Sequence, residues 1–253
     1  MTLSLRQFRY LAWIAAVAFF ASCQRQLAVS KNEYKQYGID AQGGEDSSIV
    51  KYYLPYKEKM QAEMSKVIGQ TEQELTKPAL PETLMGNYFA DAMLTEGLKK
   101  DPTIQFTLST KGGLRTTFPA GDITVSNVFE LMPFENEMVT LKLSGENVQQ
   151  LIDFIVKKEG EPISGMRMKI RNGVAHEVTI AGQPFDKTKT YNLLTYDYLA
   201  DGGDDLECLR NPIERKEINK KVREALLDNI NDLTRQGKKI TAQLDGRIVI
   251  VKD

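Results

Sequence analysis

The sequence predicts an α+β domain on a mixed sheet with flanking helices, and three observations carry that prediction. Strand-length runs of alternating or continuous apolar residues interleave with longer runs at helical spacing. Asn172-Gly173 sits between two alternating segments, 166–171 and 174–180, a pairing that favours a two-residue hairpin and so an antiparallel neighbour. Strands and helices therefore alternate around at least one hairpin, which suits helices packed on a mixed sheet.

The elements follow in order. Val50, Tyr53, Tyr56, Met60, Met64 and Val67 recur at helical spacing over residues 49–67. The tyrosines of this stretch, with Met60 and Met64, are expected to pack their helix on the domain. Lys77-Pro78 and Pro81 end that stretch. A second helix is predicted over 82–97, with Leu84, Tyr88, Phe89, Ala92 and Met93 on one side. Residues 104–108 form an apolar strand, and Pro119, Ala120, Gly121 and Asp122 form a turn before an amphipathic segment. Residues 138–143 alternate as a strand, and Ser144 suits the N-cap of a helix over 148–156. A strand is expected over 191–196. Ile218, Val222, Leu226, Ile230 and Leu233 mark a helix ending near Gly237, and Asp245-Gly246 joins two last short strands.

The chemistry-bearing residues cluster in loops. After the 104–108 strand come Thr110, Lys111, the adjacent glycines Gly112 and Gly113, and Arg115. Glycines there let the backbone turn and let a ligand approach closely. Arg115 adds a planar, permanently charged fork suited to phosphate or carboxylate. Further on, Phe134 and Asn136 place an aromatic face beside an amide, able to stack on a flat ligand and bond its edge. A last loop carries Tyr198, Asp201, Gly202, Gly203, Asp204 and Asp205. Its three aspartates could form a calcium loop, but the glycines suit a tight turn better and the ligand count is low.

Taken together, GGLR, AGDIT and PFEN in this order, followed by YLADGGDD with an aromatic six residues before the aspartate of GGD, carry a resemblance. With SGENVQQLI and DGRI they resemble the carboxy-terminal, substrate-binding domain of the 5′-nucleotidase / UDP-sugar hydrolase family, from about residue 81 onward. The resemblance implies that Arg115 contacts phosphate, Phe134 and Tyr198 sandwich the base, Asn136 bonds its edge and Asp204 binds ribose hydroxyls. Thr110, Gly112, Gly113, Gly202 and Gly203 belong to the same binding loops, and Lys111 would add positive charge. The sequence departs from the pattern at Thr110, where many members carry asparagine, and at Tyr198, where phenylalanine is commoner. It also lacks equivalents of further phosphate-binding arginines found in some members. In that family a separate amino-terminal metallophosphatase domain performs the cleavage.

Composition narrows the remaining readings. The 253 residues include 33 basic and 34 acidic ones, for a net charge of −1. That balance gives no electrostatic case for nucleic acid. A dinuclear phosphatase centre needs several histidines and carboxylates, and the sequence has one histidine, His176, inside a hairpin strand. No catalytic residue and no metal site are therefore expected in this chain, and no cofactor; divalent metals are expected on a partner chain.

The amino terminus reads as an export signal. Arg6 and Arg9 precede a short apolar run over 11–20, and residues 20–23, Phe-Ala-Ser-Cys, resemble a lipobox with Cys23 as the lipidated residue. The expected organisation is a signal over 1–22, a tether over 23–48, a helical connection over 49–80 and the domain over 81–253. The second of the two cysteines, Cys208, lies between leucines and suits an inert buried thiol. The expected function is the nucleotide-binding half of a two-chain 5′-nucleotidase-type phosphohydrolase. The chain would be an exported bacterial lipoprotein, periplasmic or outer-membrane-anchored, with a nucleotide or nucleoside ligand and a separate metallophosphatase chain as partners. The alternatives are a nucleotide-binding lipoprotein without chemistry and a degenerate interaction module.

Overall fold

The computed structural model describes Trp13, residues 31–38 and residues 44–251. Apart from Trp13, the expected signal segment lies outside the described residues, as does Cys23. The chain divides into two units, residues 1–50 and 51–253, and the account below concerns the second, from the helix that spans their boundary onward. Among the described residues no helix is long and apolar enough to cross a membrane.

Helix α1 (Ser47–Met64) buries none of its residues. Its tyrosines and methionines therefore do not pack into the core as expected; Tyr52 and Tyr56 stay exposed, as tyrosines can where a polar tip remains in water. The helix ends at Met64, and Val67 opens a strand instead. Strand β1 (Val67–Thr71) pairs antiparallel with β3 (Gly121–Thr124), and Leu75 bridges to Phe118 with both side chains fully buried. The folded domain thus begins within the stretch read as a connection, ahead of Pro81. Proline and lysine at 77–78 end the regular structure without ending the core. Leu75→Ala is expected to destabilise the fold by about 3 kcal/mol in urea unfolding, the usual cost of emptying a sealed leucine site. A change near zero would put the domain boundary back at Pro81.

Helix α2 (Leu84–Leu98) starts at Thr83, whose hydroxyl accepts from the Gly86 N–H at 3.0 Å. It is buried on most of its circumference, Asn87 and Glu96 included, rather than along one stripe. Glu96 is tolerated inside because Lys220 and Lys99 both pair with it; a buried charge needs such partners. Strand β2 (Phe106–Leu108) follows, then β3, helix α3 (Val125–Leu131) and strand β4 (Glu137–Ser144). Ser144 caps helix α4 (Gly145–Lys157), accepting from the Asn147 N–H at 3.2 Å. Strands β5 (Ile163–Ser164), β6 (Met166–Arg171), β7 (Val174–Ile180), β8 (Gln183–Pro184) and β9 (Thr190–Tyr196) come next. The β6–β7 turn holds Asn172 at φ 50° and Gly173 at φ 71°, the left-handed pair that the hairpin requires.

After the one-turn helix α5 (Asp197–Ala200), strand β10 (Glu214–Lys221) precedes helix α6 (Val222–Arg235), and β11 (Ile248–Ile250) closes the fold. Ile218 therefore lies on a strand, not in the helical stripe predicted for it. The strand ERKEINKK is charged because it forms the edge of a sheet, where lysine and glutamate guard an unpaired flank. Asp245-Gly246 leads into β11 alone; ahead of it Ile240 makes only an isolated bridge to Thr71.

Among the described residues there are three sheets: β1-β3, a five-stranded sheet ordered β10-β4-β9-β2-β5, and a four-stranded sheet ordered β11-β6-β7-β8. The α+β mixed-sheet architecture is as predicted. In the central sheet β2 and β9 are parallel, while β4 is antiparallel to β9, β10 to β4 and β5 to β2. One end of this sheet therefore receives the ends of β2, β9 and β10 and the starts of β4 and β5. Strands β2 and β9 are largely buried at its centre, Thr107 and Thr195 included.

Candidate functional site

That end of the sheet collects loops distant in sequence. The chain leaving β2 enters the glycine loop, residues 109–115. The chain leaving β9 enters Tyr198 and the single turn Gly203–Asp205. Phe134 and Asn136 lie just before β4, at the same end because Met138 pairs with Tyr196. Gly112, Gly113, Arg115, Phe134, Asn136, Tyr196, Tyr198 and Asp204 line one cleft of about 340 Å³, a volume that suits a ligand of nucleoside size.

Asp204 is its organising carboxylate. Thr110 donates to one oxygen at 2.6 Å, and the Tyr198 hydroxyl donates to the other at 3.0 Å. The two positions that depart from the family pattern thus meet on one carboxylate. Asp204 sits at φ 55°, a conformation that aspartate accepts better than most residues. Gly203 is required by contact: a Cβ there would lie 2.5 Å from the Tyr198 ring. Gly112 flanks the same carboxylate, and Gly202 turns the chain at φ 89°.

Within the glycine loop, Gly113 donates its N–H to the Thr110 carbonyl at 3.1 Å. A Cβ on Gly113 would stand 2.7 Å from the Tyr196 hydroxyl. Burial, with help from the Asp204 and Glu161 carboxylates, pushes that phenol well above the usual tyrosine range, so it stays protonated. Arg115 donates to the Gly112 carbonyl at 3.2 Å, and its guanidinium carbon lies 5.9 Å from the Phe134 ring centre. Phe134 and Tyr198 are 39% and 51% exposed, and both line the cleft.

Lys111 is placed differently from its neighbours. Its N–H donates to Glu161 at 2.6 Å, while its ammonium lies 3.5 and 3.4 Å from the carbonyls of Lys158 and Glu159. Burial lowers the lysine and raises Glu161. Lys111 thus anchors the back of the loop and does not line the cleft.

Two contributors escaped the sequence reading. Tyr196 looks like any strand aromatic, and only its alternation with Tyr198 hints that both lie near the loop. Glu161 carries no local signal at all. The aspartate loop does not converge on a cation: Asp201 pairs with Arg215 at 2.5 Å, and Asp204 is held by the two hydroxyls. Among the described residues no three His, Cys, Asp or Glu side chains gather as a metal site. Cys208 is unpaired by disulfide, and burial pushes its thiol up to about 11, the range of an unreactive group.

Comparison with known proteins gives the family. Residues 67–211, more than half of the chain, match the model for the 5′-nucleotidase, C-terminal domain. The chain belongs to the 5′-nucleotidase C-terminal domain family. Its match begins at β1, which agrees with the early start of the folded core. Among curated relatives, Protein UshA of Escherichia coli K12 is 29% identical over 180 residues, covering 66% of this chain and 31% of that protein. The 5′-nucleotidase of Vibrio vulnificus is 26% identical over 175 residues, again covering 66% of this chain and 31% of the relative. The chain thus spans about a third of the length of these relatives.

Among solved structures, the 5′-nucleotidase precursor of Thermus thermophilus aligns with a TM-score of 0.69 at 24% identity, covering 84% of this chain and 45% of the other. The NAD nucleotidase of Haemophilus influenzae aligns with a TM-score of 0.62 at 15% identity, covering 82% and 42%. At these identities the likeness concerns the fold.

Proposed function

We propose that this chain is the nucleotide-binding half of a two-chain 5′-nucleotidase-type phosphohydrolase, with metal-dependent cleavage performed by another chain. The observation that carries the reading is the single cleft into which three separated motifs deliver Arg115, Phe134, Asn136, Tyr198 and Asp204. Phe134 and Tyr198 offer faces to a base, Asn136 an edge, Asp204 an acceptor for ribose hydroxyls and Arg115 a fork for phosphate. The chain would hold the nucleotide and present its phosphate to metals and water supplied by the partner, which is a positioning role. Lipid on Cys23 of an exported protein would confine the chain to a membrane surface and raise its effective concentration toward a partner there.

A second reading, ligand capture without hydrolysis, has one observation in its favour. Among the described residues Arg115 is the only cationic side chain lining the cleft, since Lys111 faces away, so the grip on phosphate is thin.

Calorimetry of the full chain with AMP, adenosine and a UDP-sugar tests the common core of both readings; absence of heat with all three would sink them. Phosphate release from AMP with divalent metal separates the two. Release only when a metallophosphatase chain is added supports the two-chain enzyme. Binding with no release beside such a chain supports capture, and release by this chain alone contradicts both. Incorporation of labelled palmitate that disappears in Cys23→Ser would support the anchor.

A further inference from the structure

The loop that carries the proposed stacking ring is held by a residue outside every motif discussed so far. Residues 132–136 have no regular structure, and Phe134 projects from them with its ring partly in solvent. Strand β10 ends beside the start of β4, with Lys221 paired to Glu137. The first turn of α6 therefore begins against this loop. Val222 donates its N–H to the Asn136 carbonyl at 3.0 Å. Arg223, only 9% exposed, donates to the carbonyls of Met132 and Phe134, both at 3.3 Å, and pairs with Glu135. Its guanidinium carbon stacks 4.1 Å from the centre of the Phe129 ring.

From these contacts we infer that Arg223 is a positioning residue that sets the place of Phe134 in the cleft; the inference rests on the nucleotide-binding reading above. The chemistry requires arginine. One planar group must reach two carbonyls and a carboxylate while lying flat on an aromatic ring, and only a guanidinium has the donors and the shape. A lysine would keep the charge but reach fewer of these acceptors. The residue lies beyond the stretch matched by the family, residues 67–211, and 89 positions from Phe134, so no local motif announces it. Its site at the head of α6 gives the loop a rigid support from the far edge of the sheet, which is what a loop-borne binding group needs to keep its geometry.

The test uses the full chain carrying fluorinated phenylalanine, with Phe134 and Phe129 assigned by single leucine substitutions among the ten phenylalanines. In Arg223→Lys the Phe134 resonance should shift or broaden together with that of Phe129, while core rings such as Phe89 and Phe106 stay in place. Adenosine affinity should fall about 10-fold, the scale of a displaced binding group. The double variant Phe134→Ala/Arg223→Lys should bind no worse than Phe134→Ala alone, because a residue acting through the ring has nothing left to position. An unmoved Phe134 resonance, or losses that simply add, would overturn the inference.

Glu135→Gln, at an exposed position, provides a variant that leaves the core untouched; it too should shift the Phe134 resonance, and an unshifted ring would count against Arg223. If the unsubstituted chain binds no nucleotide, the proposed function fails while the resonance comparison still decides the role of Arg223.

Discussion

Phe134→Ala is expected to weaken adenosine and AMP binding by about 10- to 100-fold, within the roughly 1–3 kcal/mol carried by one stacked base at comparable sites. The expectation follows from how the ring is mounted. Its backbone carbonyl is bonded to Arg223 and the adjoining Asn136 carbonyl to Val222, so the loop keeps its course when the side chain is removed. The ring is partly exposed and contributes little to the core, so the unfolding midpoint should stay close to that of the parent chain. What disappears is one apolar plate and the aromatic surface against Arg115. Calorimetry beside a urea titration separates the two effects. Full affinity in a folded Phe134→Ala chain would remove the stacking role, whatever else the cleft binds.

Asp204→Asn is expected to erase the preference for a ribose over a 2′,3′-dideoxyribose. Asparagine tolerates the left-handed backbone at this position, so the turn should survive. The charge does not. In the parent chain Thr110 and Tyr198 each occupy one lone pair of Asp204, leaving further acceptor sites for a diol at a carboxylate already oriented. Hydrogen bonds to a charged group carry about 1.5–3 kcal/mol; adenosine affinity should fall by about 10-fold or more, while the dideoxy analogue, which lacks both hydroxyls, should change little. An unaltered ratio between the two ligands would mean that Asp204 serves the loop and not the sugar. Tyr198→Phe offers an internal comparison, since it leaves the aromatic face and removes one of the two bonds that orient the carboxylate.

Much of this protein could be read without coordinates. Ser144 as an N-cap, the Asn172-Gly173 turn and the buried runs of β2 and β9 are local features, set by side-chain reach, backbone freedom and period, and the structure reproduces them. Residue chemistry likewise singled out Arg115, Phe134 and Asn136, because few side-chain types can stack, fork or bond an edge in the needed ways, while Tyr198 and Asp204 came from the family resemblance of their loop. Local reading failed where the environment, not the residue, made the choice. ERKEINKK has no apolar period, and it becomes a strand because a sheet edge was available beside β4. Val67–Thr71 became part of the folded domain through pairing with a strand some fifty residues away.

The cleft itself belongs to the tertiary structure. Parallel pairing of β2 with β9, and the antiparallel placement of β4, β5 and β10 around them, bring the glycine loop, the Phe134 loop, the Asp204 turn, Glu161 and Arg223 to one end of one sheet. The sequence determined which groups could bind. Strand order decided that they meet, that Lys111 turns to the back of its loop and that Arg223 braces Phe134, because inter-strand hydrogen bonds join segments that share no local pattern.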